Sequence, residues 1–120
     1  MSTFDTIVAR YLQIFNETDS ARRRAIVDET CTEDCSYTDP LAAVTGRAGV
    51  SDFIGAVQKQ FPGVVFALHG RVDGHHEQAR FTWHAMAQGV LEPVAIGFDV
   101  VVLAGGRIRQ VHGFLDKAPG

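Results

Sequence analysis

The chain has little that would fit it for nucleic acid, for a membrane or for a disulfide scaffold. Its eleven Lys and Arg residues form no extended stripe. Fourteen Asp and Glu residues leave a formal charge of -3, which argues against a nucleic-acid partner. The single basic run, Arg22-Arg23-Arg24, is flanked by Asp19, Asp28 and Glu29 and reads as a solvated helix face. No segment comes near the roughly 18 consecutive apolar residues of a membrane span. Residues 1–10 lack the basic-then-apolar order of a secretory leader, so the expected location is the cytoplasm, away from membranes. Cysteine is scarce as well. Cys31 and Cys35 would meet only if one helix carried both, and no histidine lies near them in sequence. That excludes a disulfide framework and a zinc site; the expectation is reduced thiols, no metal and no cofactor.

What is present suits a soluble globular protein, with 46% hydrophobic and 21% charged residues. No repeat, low-complexity tract or linker interrupts the chain, so residues 1–120 form one domain with one core. Ser2 and Thr3 are good N-caps, and Phe4, Ile7, Val8, Tyr11, Leu12 and Phe15 follow at helical spacing, predicting a helix over Phe4 to Asn16. A turn through Asn16 to Ser20 leads to a second, polar helix over Ala21 to Thr30, with Ala25 and Ile26 inward. From Cys35 the period changes to two, which puts Cys35, Tyr37 and Asp39 on one face of a strand. Pro40 ends that strand because it has no N–H to give a ladder. A short return strand over Leu41 to Gly46 precedes a third helix with Val50, Phe53, Ile54, Val57 and Phe61 inward, stopped by Pro62-Gly63.

Four strands complete the chain, over about Val64 to Arg71, His76 to Gln88, Val94 to Leu103 and Arg107 to Leu115. Asp73-Gly74 and Gly105-Gly106 are the hairpin signals between them. Alternation places Ala79, Phe81, Trp83, Ala85 and Ala87 on one face, where small residues beside one large aromatic predict a concave, ligand-sized surface. Helices followed by long antiparallel strands make an α+β fold, in which the sheet curls against the helices and leaves a pocket at its mouth.

Two acids lie within apolar strand sequence, Asp39 and Asp99. A buried carboxylate is costly unless paired or protonated, so each is either a turn or bulge residue or part of a site. A two-residue turn at Gly105-Gly106 would pair Ala104 with Arg107 and set His112 opposite Asp99; a longer turn would set Val111 there. His112 is therefore a conditional site residue. Trp83, Phe53, Val57 and Phe61 are the candidate apolar walls of a substrate pocket, with Tyr37 able to add a hydroxyl. His84 faces away from Trp83 toward an interface, and His69, His75 and His76 read as strand-end or solvated residues. Ile96, Phe98, Val100 and Val102, opposite Asp99, form a stripe that fits a dimer interface.

The pattern resembles the SnoaL-like branch of the nuclear transport factor 2 superfamily, which includes ketosteroid isomerases and polyketide cyclases. The likeness rests on Arg10-Tyr11 with Asn16, Tyr37-Thr38-Asp39-Pro40, Gly46 before Val50, Phe53 and Ile54, and Phe61-Pro62-Gly63. It continues in Phe81-Thr82-Trp83, Gly97-Phe98-Asp99-Val100, Gly106-Arg107-Ile108 and Gly113-Phe114-Leu115. It implies a cone: three N-terminal helices on a strongly curved, mostly antiparallel sheet enclosing a hydrophobic pocket, and a homodimer paired through the outer sheet face. By the same resemblance Tyr11 is similar to the isomerase's oxyanion-hole tyrosine, Asp39 to its proton-shuttling base and Asp99 to its protonated donor.

The chemistry is coherent on its own terms. Removing a proton beside a carbonyl makes an enolate, which needs one ionised carboxylate as base and neutral donors at the developing oxyanion. The first expectation is thus an isomerase- or cyclase-type enzyme on a hydrophobic, polycyclic or terpenoid-like carbonyl compound. A second is a dehydratase or epoxide hydrolase using Asp99 with His112. The third is a dimeric, non-catalytic module that binds a hydrophobic ligand.

Overall fold

Apolar residues at helical spacing make α1 (Thr3–Asn16) an inner rod in the computed structural model, which describes residues 3–119. The proposed Ser2 cap lies outside the described residues. Ile7, Val8, Tyr11, Leu12, Ile14 and Phe15 are buried along one stripe of α1. The second helix, α2 (Ser20–Thr30), starts one residue earlier than expected, because the Asp19 side chain accepts from the Arg22 backbone N–H as an N-cap.

The inward side of α2 differs from the sequence reading. Arg23, Val27 and Thr30 are buried, Ala25 is exposed and Ile26 only half-buried. Arg23 corrects the expectation of a wholly solvated basic run. Its guanidinium donates to Ser51 O and Oγ, Glu17 O and Gln58 Oε1, so a network of neutral acceptors replaces an acid partner. Gly55 makes room, since a Cβ there would stand 2.8 Å from the Arg23 guanidinium.

Six strands form one open mixed sheet: β1 (Cys31–Asp39), β2 (Ala42–Thr45), β3 (Val65–His75), β4 (Gln78–Met86), β5 (Ala95–Ala104) and β6 (Arg107–Lys117), with α3 (Gly46–Gln60) inserted after β2. Their spatial order is β2-β1-β6-β5-β4-β3; only β1 with β6 is parallel. Helix α1 lies against β3, α3 against β1 and α2 against α3. Ile14, Ile54, Ile108, Val8, Val27 and Val101 are fully buried where these layers meet. Each such side chain contributes about 2 kcal/mol by leaving water.

Bulges supply the curvature and explain where sequence boundaries slipped. Cys31 and Cys35 both point inward on β1, and the bulge between Cys31 and Ser36 shortens the distance along the strand so that the two thiols meet there and not on a helix. Gly70, at φ +79°, sits in the β3 bulge between His69 and Asp73. The Asp73-Gly74 hairpin signal is displaced: Gly74 pairs with Ala79 inside the ladder, and the chain turns at His76-Glu77. Gly105-Gly106 is the two-residue turn of the two alternatives, with Ala104 opposite Arg107 and φ of +59° and +79° at the two glycines.

Both anticipated registers beyond that turn fail. A further bulge between Val102 and Leu103 leaves Arg109 unpaired, so Asp99 faces Gly113, and His112 faces Val100. His112 is exposed, beside Thr38 on the outer surface of the sheet. No helix among the described residues is long and apolar enough to cross a membrane.

Candidate functional site

Strict alternation along β5 turns Ala95, Gly97, Asp99, Val101 and Leu103 inward, which carries a carboxyl group into the interior. Asp99 is 3% exposed. Its Oδ2 accepts from the Tyr11 hydroxyl at 2.6 Å and its Oδ1 from Trp83 Nε1 at 3.1 Å. Burial pushes the Asp99 pKa up to about 6; the Tyr11 and Trp83 bonds pull it back, and the charge of Asp39 adds to the rise. The Tyr11 hydroxyl is held well above its ordinary range, by burial first and then by the field of Asp99.

Trp83 reaches Asp99 because Gly97 has no side chain. A Cβ on Gly97 would stand 2.4 Å from the indole ring and 2.5 Å from the Phe114 carbonyl oxygen. The Gly97-Phe98-Asp99 stretch thus encodes the site's second contact as well as its acid. The sequence reading placed Trp83 among apolar walls and missed its role as a donor.

Asp39 is a turn residue that also lines a cavity. At the end of β1 its Oδ1 accepts from the backbone N–H groups of Leu41 and Ala42, at 2.8 and 2.9 Å, building the turn that Pro40 requires. Its Oδ2 accepts from the Tyr37 hydroxyl at 2.7 Å and faces the pocket. The Tyr37 hydroxyl is held above its ordinary range, by burial first, then by the charges of Asp99 and Asp39. Thr38 stands beside His112, so Asp39 comes level with Gly113, which in turn faces Asp99. The two acids therefore share one row of the sheet with a bare glycine between them. A Cβ on Gly113 would lie 3.0 Å from Asp99 Oδ1 and 3.2 Å from Asp39 Cβ.

Above this row lies a cavity of about 240 Å³ whose walls include Trp83, Phe53, Val57, Phe61 and Tyr37, together with Asp39. A crevice of about 20 Å³ adjoins it and is lined by Tyr11 and Asp99. Phe15, Tyr37, Phe66 and Trp83 border both spaces. Base candidate and donor candidates thus line two adjacent spaces divided by shared aromatic residues. The sequence pattern marks Phe15 only as helix core and does not single out Phe66. Phe66 is pinned by Asn16, whose side-chain amide accepts from Phe66 N and donates to Phe66 O, each at 2.8 Å.

His112 stands apart from all of this, so the Asp99–His112 pair needed for the dehydratase or hydrolase reading is not formed. His84 lies on the outer face as expected, with its ring stacked on His69 at 3.9 Å. Among the described residues, no group of three or more His, Cys, Asp or Glu side chains is placed to hold a metal ion.

Comparison with known proteins agrees with this fold. Residues 8–111 match the family model described as the SnoaL-like domain. A solved structure from Agrobacterium tumefaciens strain C58, provisionally assigned as an isomerase of the SnoaL-like family, is 41% identical, with a TM-score of 0.92 over 97% of this chain and 99% of that one. A provisional ketosteroid isomerase from Kribbella flavida, at 18% identity, has a TM-score of 0.70 over 96% of this chain and 78% of its own. A provisional SnoaL-like polyketide cyclase from Jannaschia species CCS1, at 19% identity, has a TM-score of 0.70 over 92% and 85%. These two support the fold alone. No curated protein matches the sequence. With the α+β cone, its open mixed sheet and a domain match over nearly the whole chain, this protein belongs to the SnoaL-like family of the nuclear transport factor 2-like fold.

Proposed function

We propose that the protein is a cofactor-independent acid–base enzyme of isomerase or cyclase type that acts on a small hydrophobic carbonyl compound. The observation that carries this reading is the row Asp39-Gly113-Asp99: two carboxyl groups, one in the main cavity and one buried with Tyr11 in an oxygen-sized crevice. Asp39, oriented by three donors, removes a proton from the carbon beside the substrate carbonyl. The electron pair moves onto the carbonyl oxygen, which Tyr11 and Asp99, protonated below its pKa of about 6, stabilise as an enolate. In a β,γ-unsaturated ketone, return of that proton from Asp39 to the γ-carbon completes an isomerisation; attack of the enolate carbon on a second carbonyl closes a ring, and the proton passes to the new alkoxide oxygen.

The cavity limits the substrate. At about 240 Å³ it falls below the roughly 300–1,000 Å³ usual for drug-sized ligands, which favours a one- or two-ring or short terpenoid skeleton over a tetracyclic one. The walls supply apolar contact and no cation, so a neutral substrate fits. A probe follows from this: 2-naphthol, two fused rings whose oxygen mimics that of the enolate. It should bind the wild type, and Tyr11→Phe should weaken it about tenfold by removing a donor to that oxygen. Equal affinity for both proteins would count against the oxyanion role of Tyr11.

The outer face supports a homodimer in the same reading. Phe98 and Phe114 stack at 4.9 Å there with Phe114 49% exposed, beside half-buried Ile96, Val100 and Val102. Phe98→Glu should convert a dimer into a monomer in sedimentation; unchanged sedimentation would reject this face as the contact.

A further inference from the structure

The reading of Tyr11 and Asp99 as donors leaves open where the Asp99 proton resides, and Trp83 bears on it. An indole has one polar hydrogen and no acceptor. Its N–H meets Asp99 Oδ1 at 3.1 Å, while the Tyr11 hydroxyl meets Oδ2 at 2.6 Å. A proton on Oδ1 would oppose the indole hydrogen. A proton on Oδ2 meets a hydroxyl oxygen, which can accept once its own hydrogen rotates away.

The indole has little freedom to yield. Gly97, in ordinary extended backbone, is bare where the ring crosses it, and Phe66 packs edge-on against the ring at 5.5 Å. The crevice beside Tyr11 and Asp99, about 20 Å³, has room for a single oxygen atom. The released Tyr11 hydrogen has that space as its natural target.

We propose that Trp83 is a positioning residue that fixes the Asp99 proton on Oδ2, so that Asp99 donates to the Tyr11 oxygen and Tyr11 donates to a ligand oxygen in the crevice. The donors then act in series, with Asp99 strengthening Tyr11. This rests on the donor role given to the pair above. The titratable groups facing Asp99 are Tyr11 from α1 and Asp39 and Tyr37 from β1; β6 presents Gly113, and β4 presents Phe81 and Trp83.

The test is a titration of the protein labelled with ¹⁵N and carboxyl ¹³C. Trp83 is the only tryptophan, so its indole N–H gives one resonance. That resonance should move with the Asp99 carboxyl, with a midpoint near the value of about 6 set by its surroundings, and should stop titrating in Asp99→Asn. Below the midpoint it should remain protected from exchange. A resonance that becomes a freely exchanging indole on acidification would put the proton on Oδ1 and overturn the proposal, as would an indole that ignores Asp99 altogether.

Trp83→Phe keeps most of the ring while removing the donor, so the Asp99 carboxyl should titrate at higher pH than in the wild type. An unmoved midpoint would reduce Trp83 to packing. 2-Naphthol separates the two levels of inference. If the wild type does not bind it, the donor reading fails, while the titrations still decide the place of the Asp99 proton.

Discussion

Replacing Asp99 by Asn should make the protein more stable at neutral pH relative to acid than the wild type is. Asp99 has a pKa of about 6 in the folded chain against an ordinary 3.8, so the folded state binds its proton more tightly. The stabilising contribution of protonated Asp99 is complete below about pH 4 and is lost as pH rises through about 6. About two units at 1.36 kcal/mol each give about 3 kcal/mol. That is a large share of the roughly 5–15 kcal/mol by which domains are stable. Asn keeps the shape, carries no charge and can still accept through its one oxygen. A constant offset of about 1 kcal/mol for the lost second bond is expected and does not depend on pH. Urea unfolding of both proteins in steps from about pH 4 to about pH 8 isolates the effect, because every other titrating group is common to both. The stability difference should move in favour of Asn by about 3 kcal/mol across that range. A difference that stays flat, or moves toward the wild type as pH rises, would refute a buried Asp99 whose charged form is disfavoured.

Two further perturbations test how the site is built. Gly97→Ala puts a Cβ against the indole ring and the Phe114 carbonyl, so it should destabilise by about 2 kcal/mol and shift Trp83 emission; a melt and spectrum matching the wild type would show that Trp83 is not held by that glycine. Arg23→Met strips the donor from buried acceptors on Ser51, Glu17 and Gln58 and should cost about 3 kcal/mol in chemical denaturation, while Arg24→Met, which breaks an exposed ion pair with Asp28, should cost under about 0.5; equal effects would mean that Arg23 is solvated.

Much of this was legible in the chain, and the failures share a cause. Alternation through Tyr37-Thr38-Asp39 and Phe98-Asp99-Val100 put the acids on the inner face, and helical spacing put Tyr11 inward, because both periods follow from backbone geometry alone. Bulges are not periodic. The extra residue at Arg109 changed the residue facing Asp99 from His112 to Gly113, and so removed an acid–histidine pair that turn length had made plausible. The bulge in β1 likewise shortened the distance along the strand between Cys31 and Cys35, so that their thiols meet. Arg23 was misread because charge runs report composition and say nothing of which member turns inward. Trp83 as donor and Asn16 as the clamp on Phe66 depend on contacts across 16 and 50 residues of sequence, which local pattern does not encode.

The most direct test of the proposed chemistry is hydrogen exchange at carbon. Small one- and two-ring ketones with an acidic α-hydrogen are incubated with the protein in D₂O near pH 5, below the Asp99 midpoint of about 6, and followed by proton NMR. The account predicts enzyme-dependent deuteration of at least one of them, reduced at least about a hundredfold in Asp39→Asn. A ketone that is deuterated equally fast by wild type and Asp39→Asn would contradict the assignment of Asp39 as the base.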